Sequence, residues 1–138
     1  MIKLINLLKE IKLSTGIEKA YNQIDNLPKG KLFDDAKNIE DIFKMSQHSW
    51  SEVIENFEKN KERSILKPIE ISDTSITQPN IQSNKVKQII TNIDQTPTIN
   101  AVQFPDGEKV IYDGHNRLVA NWALGNKNIM VNLVILEK

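Results

Sequence analysis

Five consecutive residues, Asp113-Gly114-His115-Asn116-Arg117, set a carboxylate, a bare backbone, an imidazole, an amide and a guanidinium side by side. The chain has two histidines, His48 and His115, and two arginines, Arg63 and Arg117, and one of each falls in this window. At the start of a helix such a set suits phosphate. The first turn leaves backbone N–H groups without helical partners and carries partial positive charge. Gly114 lets a ligand approach the chain closely. Arg117 offers a fork for two phosphate oxygens, and it stands in a chain that otherwise uses lysine, which cannot grip in that way. His115 adds one hydrogen bond and, as a cation, charge. A second chemistry is general-base or metal-assisted catalysis by Asp113, with Glu70 as the other candidate carboxylate. A third reading is purely structural: Asp-Gly turns the chain, Asn116 caps a helix and Arg117 pairs with Asp113. For Glu70 the structural alternative is the outward residue of an alternating Ile-Glu-Ile strand.

Each reading needs a strand that ends at Tyr112–Asp113 and a helix that begins near Asn116. The pattern supplies both. "KVIYD" (109–113) reads as a strand, and 116–124 as a helix ended by Gly125. "TINAVQF" (98–104) is the partner strand, joined through "PDGE", a hairpin signal. "IMVNLVIL" (129–136) closes as another strand. Upstream, "ILKPIEI" (65–71) reads as a strand that Pro68 places at a sheet edge. "TQPN" is a turn. Val86, Ile89, Ile90 and Ile93 make the stripe of a helix over 85–93, capped by Ser83 or Asn84.

Residues 1–64 read as helices over 2–12, 17–26, 34–46 and 49–60, with a "LPKG" turn at 27–30. The helix at 34–46 rests on Asp34 and Asp35 at its start and on Ile39, Ile42 and Phe43. In the helix at 49–60, Ser49 and Glu52 form a capping box, and Trp50, Val53, Ile54 and Phe57 follow the helical spacing of a buried stripe. His48 reads as a polar residue before that cap, and "EKNKER" (58–63) as a solvated helix end. The expected class is α+β. A helical segment, 1–64, precedes a compact unit, 65–138, ordered strand-helix-strand-strand-helix-strand.

The 138 residues are 39% hydrophobic and 26% charged, which suits an ordinary globular chain. Formal net charge is zero, which argues against broad electrostatic binding to DNA. The chain has no cysteine, which removes disulfides, thiolate metal sites and cysteine nucleophiles. No apolar run reaches 18 residues, so no membrane span is expected. The expectation is a cytoplasmic protein. The wealth of Ile, Lys and Asn suits an AT-rich bacterial or phage genome, and a virion location goes with the latter.

"IYDGHNRLVANWALG" followed by "IMVNLVI" resembles the phosphate-binding motif of the ParB/sulfiredoxin superfamily. Many of its ParB-like members carry Asp-Gly-His-His-Arg at this corner. The resemblance extends to "IEISDTSITQPN", "SNKVKQIITNI" and "TINAVQFPDGEKVIYDG", and so covers residues 65–138. It implies that Gly114, His115 and Arg117 contact phosphate and that Asp113 is the acidic residue before them. Asn116 replaces the commoner second histidine. Sulfiredoxins carry their catalytic cysteine where His115 stands, so that chemistry is excluded. The Gly-Glu-Arg-Arg-x-Arg and Gly-x-x-Gln-Pro sequences with which chromosome-partitioning members bind CTP are absent. Other members resemble small-substrate kinases or have been called nucleases. The resemblance therefore implies a nucleotide-binding domain taking a nucleoside triphosphate or diphosphate with Mg2+, with or without slow hydrolysis or phosphotransfer. Competing readings are a structural or interaction protein that keeps the fold and uses residues 1–64 for a protein partner or self-association, and, third, a nuclease or DNA-binding protein.

Overall fold

In a computed structural model the protein is described over residues 16–95 and 97–137. The expected helix at 2–12 lies outside these residues. Helix α1 covers residues 16–25. There follow β1 (Ala36–Asn38), β2 (Lys44–Met45), α2 (Trp50–Asn60), β3 (Ile65–Glu70), β4 (Thr74–Ile76), β5 (Asn80–Gln82), α3 (Ser83–Thr91), β6 (Ile99–Gln103), β7 (Lys109–Asp113), α4 (His115–Ala123) and β8 (Asn128–Ile135). The fold is α+β. Six strands form a mixed sheet in the order β2-β4-β7-β6-β8-β3, and β1 and β5 form a separate antiparallel pair. Pro68 sits in β3 at the edge of the sheet, as expected of a residue with no N–H to donate.

Both faces of the sheet are covered, and the alternation of side chains shows how. Ala101, Ile111 and Leu133 join a large core with Ala20 and Ile24 of α1, Val86 and Ile90 of α3, and Leu118, Val119 and Ala123 of α4. Their neighbours Val102, Val110 and Val134 point the other way and pack with Val53 and Phe57 of α2. Residues before 65 are thus built into the same sheet: β2 adds a parallel strand beside β4, and α2 covers the face opposite α3 and α4.

The expected helix at 34–46 does not form. Ala36–Asn38 pairs with Asn80–Gln82 instead, and Gly30 N–H donates to the Ala36 carbonyl at 2.8 Å. A short isolated helix is marginal in water, and these backbone bonds outweigh it. Its acidic start does serve a helix, but another one. The Asp35 carboxylate accepts from Asn84 N–H at 3.3 Å, and its carbonyl accepts from Ser83 N–H at 3.0 Å, both at the start of α3.

Half of the expected capping box forms at α2: Glu52 N–H donates to Ser49 Oγ at 3.1 Å, while the Glu52 carboxylate lies 2.9 Å from His48 Nδ1 instead of returning to the Ser49 N–H. Ser49→Ala should lower stability by about 1 kcal/mol in urea unfolding, the usual cost of a lost cap. The buried stripe is narrower than expected: Val53 and Phe57 are buried, but Trp50 at the helix start is 46% exposed. Among the described residues, no helix is long and apolar enough to cross a membrane.

Candidate functional site

Strand β7 ends at Asp113, and α4 begins at His115. The turn between them depends on Gly114, whose φ of 111° is a conformation that L side chains rarely adopt. A Cβ there would lie 3.0 Å from Ile99 Cγ1 and 3.3 Å from the Arg117 guanidinium. The helix has no side-chain cap, and its first bond runs from Leu118 N–H to the Gly114 carbonyl at 2.8 Å. The N–H groups of His115, Asn116 and Arg117 therefore have no partner within the helix. Leu118, Val119, Ala120 and Ala123 bury its inner face and fix its direction.

His115 and Arg117 face inward. His115 is 5% exposed, and its Nε2 accepts from Thr77 N–H at 3.0 Å. The ring proton of the neutral imidazole is then on Nδ1. Burial pulls the His115 pKa from 6.5 down to about 4, against the opposing charge of Asp113. The imidazole is neutral at neutral pH, so the positive charge expected of it is missing. It joins the corner to the β4–β5 connection instead.

Arg117 spends its fork on the protein. Nη1 donates to the carbonyls of Pro97 at 2.7 Å and Thr98 at 2.8 Å, while Nη2 pairs with Asp113 Oδ1 at 3.3 Å. The other oxygen of Asp113 accepts from Asn100 Nδ2 at 3.5 Å. The Asp113–Arg117 pair foreseen for a structural corner is therefore present.

Asn116, by contrast, lines a groove of about 460 Å³ that Thr77, Gln78, Gln82 and Lys85 also line. Lys85 lies in the first turn of α3 and brings a cation to the groove. Reading the sequence missed it, since the apolar stripe that marks α3 begins only at Val86, one residue after Lys85. The turn at 77–80 was legible, but its place beside α4 depends on the Thr77–His115 bond across 38 residues.

Comparison with protein-family models and with curated proteins finds no match.

Glu70 and Asp113 are not brought together. Glu70 is the exposed last residue of β3, between buried Ile69 and Ile71; Ile71 begins a 3-10 turn, so the strand ends at Glu70 and its burial does not alternate as the Ile-Glu-Ile pattern suggests. Strands β6 and β8 lie between β3 and β7, which puts the two carboxylates at least three strand spacings apart, about 14 Å. They are too far apart to hold one ion.

Proposed function

We propose that the protein is a ParB-like, phosphate-binding domain that takes a nucleotide, as a triphosphate or diphosphate with Mg2+, at the start of α4. The observation that carries this reading is the uncapped first turn of α4, which opens beside a groove lined by Asn116, Gln78, Gln82 and Lys85. Free N–H groups at a helix start, amide donors and one lysine make a site for phosphate oxygens. The resemblance to the ParB/sulfiredoxin superfamily points to the same corner. In this reading Gly114 shapes the approach, His115 and Arg117 hold the loops that wall the groove, and Asn116 and Lys85 meet the ligand. With Asp113 tied to Arg117 and Glu70 distant, the reading favours binding over catalysis, and it assigns any slow hydrolysis or phosphotransfer to Asp113.

A second reading has its own support. Because Arg117 and His115 are satisfied internally, the corner is also what a non-catalytic interaction or structural protein, such as a virion component, would retain. DNA binding stands third, given zero net charge.

Arg117→Ala does not separate these readings, since it damages the fold in either case. Asn116→Asp does. A carboxylate in the first turn favours the helix dipole but repels phosphate. Thermal melts with ATP, ADP and CTP, with and without Mg2+, should show a rise of several degrees for the wild type. Asn116→Asp and Lys85→Glu should fold normally and lose that rise. A wild type that no nucleotide stabilises would favour the interaction protein.

A further inference from the structure

A second cluster lies on the sheet near α2, away from the α4 corner. The β6–β7 turn places Asp106 and Glu108 opposite His48, which directly precedes the α2 cap. Asp106 Oδ1 accepts from Glu108 N–H at 2.8 Å, which fixes the carboxylate and turns Oδ2 outward. That oxygen stands 3.2 Å from His48 Nε2 and accepts from Gln47 Nε2 at 2.7 Å. The imidazole is held from two further directions. It stacks on Phe104 at 3.6 Å with the rings 6° from parallel, and its Nδ1 lies 2.9 Å from Glu52 Oε1.

Three features call for a cation. Ligand atoms of His48, Asp106 and Glu108 all lie within 4.8 Å of one another. Glu108 Oε1 is buried and has no hydrogen-bond partner. Among the described residues, no lysine or arginine pairs with Asp106 or Glu108. Lys109 is taken by Asp73 at 2.6 Å, and Lys44 only lines the cavity of about 290 Å³ that Asp106 and Glu108 share with Gln47 and Asp73.

We propose that His48 Nε2, Asp106 and Glu108 bind a divalent transition-metal ion of the zinc class, which ties the start of α2 to the β6–β7 hairpin. One nitrogen and two carboxylate oxygens are a donor set that zinc accepts. Two ligands about 2.1 Å from a shared ion stand about 3 to 3.5 Å apart, as His48 Nε2 and Asp106 Oδ2 already do. A rotation of the Glu108 side chain brings in the third. Glu52 on Nδ1 is the carboxylate that orients a metal-binding histidine and makes its other nitrogen a better donor. The site is structural, and it depends on no part of the nucleotide reading.

The test is calorimetric titration of the full chain with ZnCl2 alone, after stripping with EDTA, together with NMR of the histidine rings. The wild type should bind one equivalent. Asp106→Asn and Glu108→Gln, nearly isosteric and checked for folding by circular dichroism, should bind about tenfold more weakly or worse. Glu55→Gln, on the exposed face of α2, should bind as the wild type does. Zinc should shift the ring signals of His48 and leave those of His115, the other histidine of the chain. Absence of binding, equal weakening in Glu55→Gln, or unchanged affinity in both carboxamide variants would each overturn the proposal.

Discussion

Gly114→Ala should destabilise the protein by about 3 kcal/mol in urea unfolding and weaken any phosphate binding at α4. Two costs combine. The backbone at φ 111° disfavours a Cβ, which costs on the order of 1–3 kcal/mol. The new methyl also meets Ile99 at 3.0 Å, in a packed region that yields little. Gly125→Ala makes the comparison sharp. Gly125 also has positive φ, 81°, but nothing within 4 Å of a Cβ, so only the backbone cost applies, about 1 kcal/mol. If the two alanine variants lose equal stability, the close approach at Gly114 contributes nothing.

Acid should destabilise the protein through His115 well before the carboxylates titrate. The folded pKa of about 4 lies below the unfolded value of 6.5, so the folded state prefers the neutral ring. The stability this gives is fully present above pH 6.5 and is lost as the pH falls toward 4. A gap of 2.5 units corresponds to about 3 kcal/mol across that window. The neighbouring effects fall elsewhere. His48, with a raised pKa, contributes stability that is complete below pH 6.5 and lost as pH rises through its folded value. Asp106, with a lowered pKa, contributes above 3.8 and loses its share only in stronger acid. His115→Gln keeps an acceptor for Thr77 N–H without titrating. Its stability should therefore fall much less between pH 6.5 and 4, and parallel curves for variant and wild type would remove His115 as the cause.

Legibility in the sequence followed locality. Where one segment decides its own state, reading worked: the Ser49 cap, the Asp106-Gly107 hairpin, the α3 stripe and Gly125 are each settled by neighbours a few residues away. Where a distant partner decides, it failed. Residues 36–45 carry an apolar spacing that suits a helix, yet β5 and β4 claim their backbone. The short strands β4 and β5 carry too few residues to show a period. The corner shows the same divide. Its turn and helix were readable from Gly114 and the apolar spacing beyond it. The occupation of Arg117 by Pro97 and Thr98, some twenty residues back, was not, and neither was the burial of His115 against Thr77. His48 passed for a spacer because Asp106 lies 58 residues away.

The position of β8 has a kinetic side. It lies between β6 and β3, so β3 has no strand neighbour until residues 128–135 have emerged from the ribosome. Through the synthesis of 71–127 an apolar strand, with Ile65 and Leu66 exposed even in the folded protein, must wait with its backbone unpaired. Pairing at such range is slow to close, since the intervening chain must give up its freedom first. Folding therefore completes late. Throughout that interval Lys67 and Pro68 within β3, with the charged stretch Lys59–Arg63 just upstream, are the nearest safeguards against its pairing with another nascent chain.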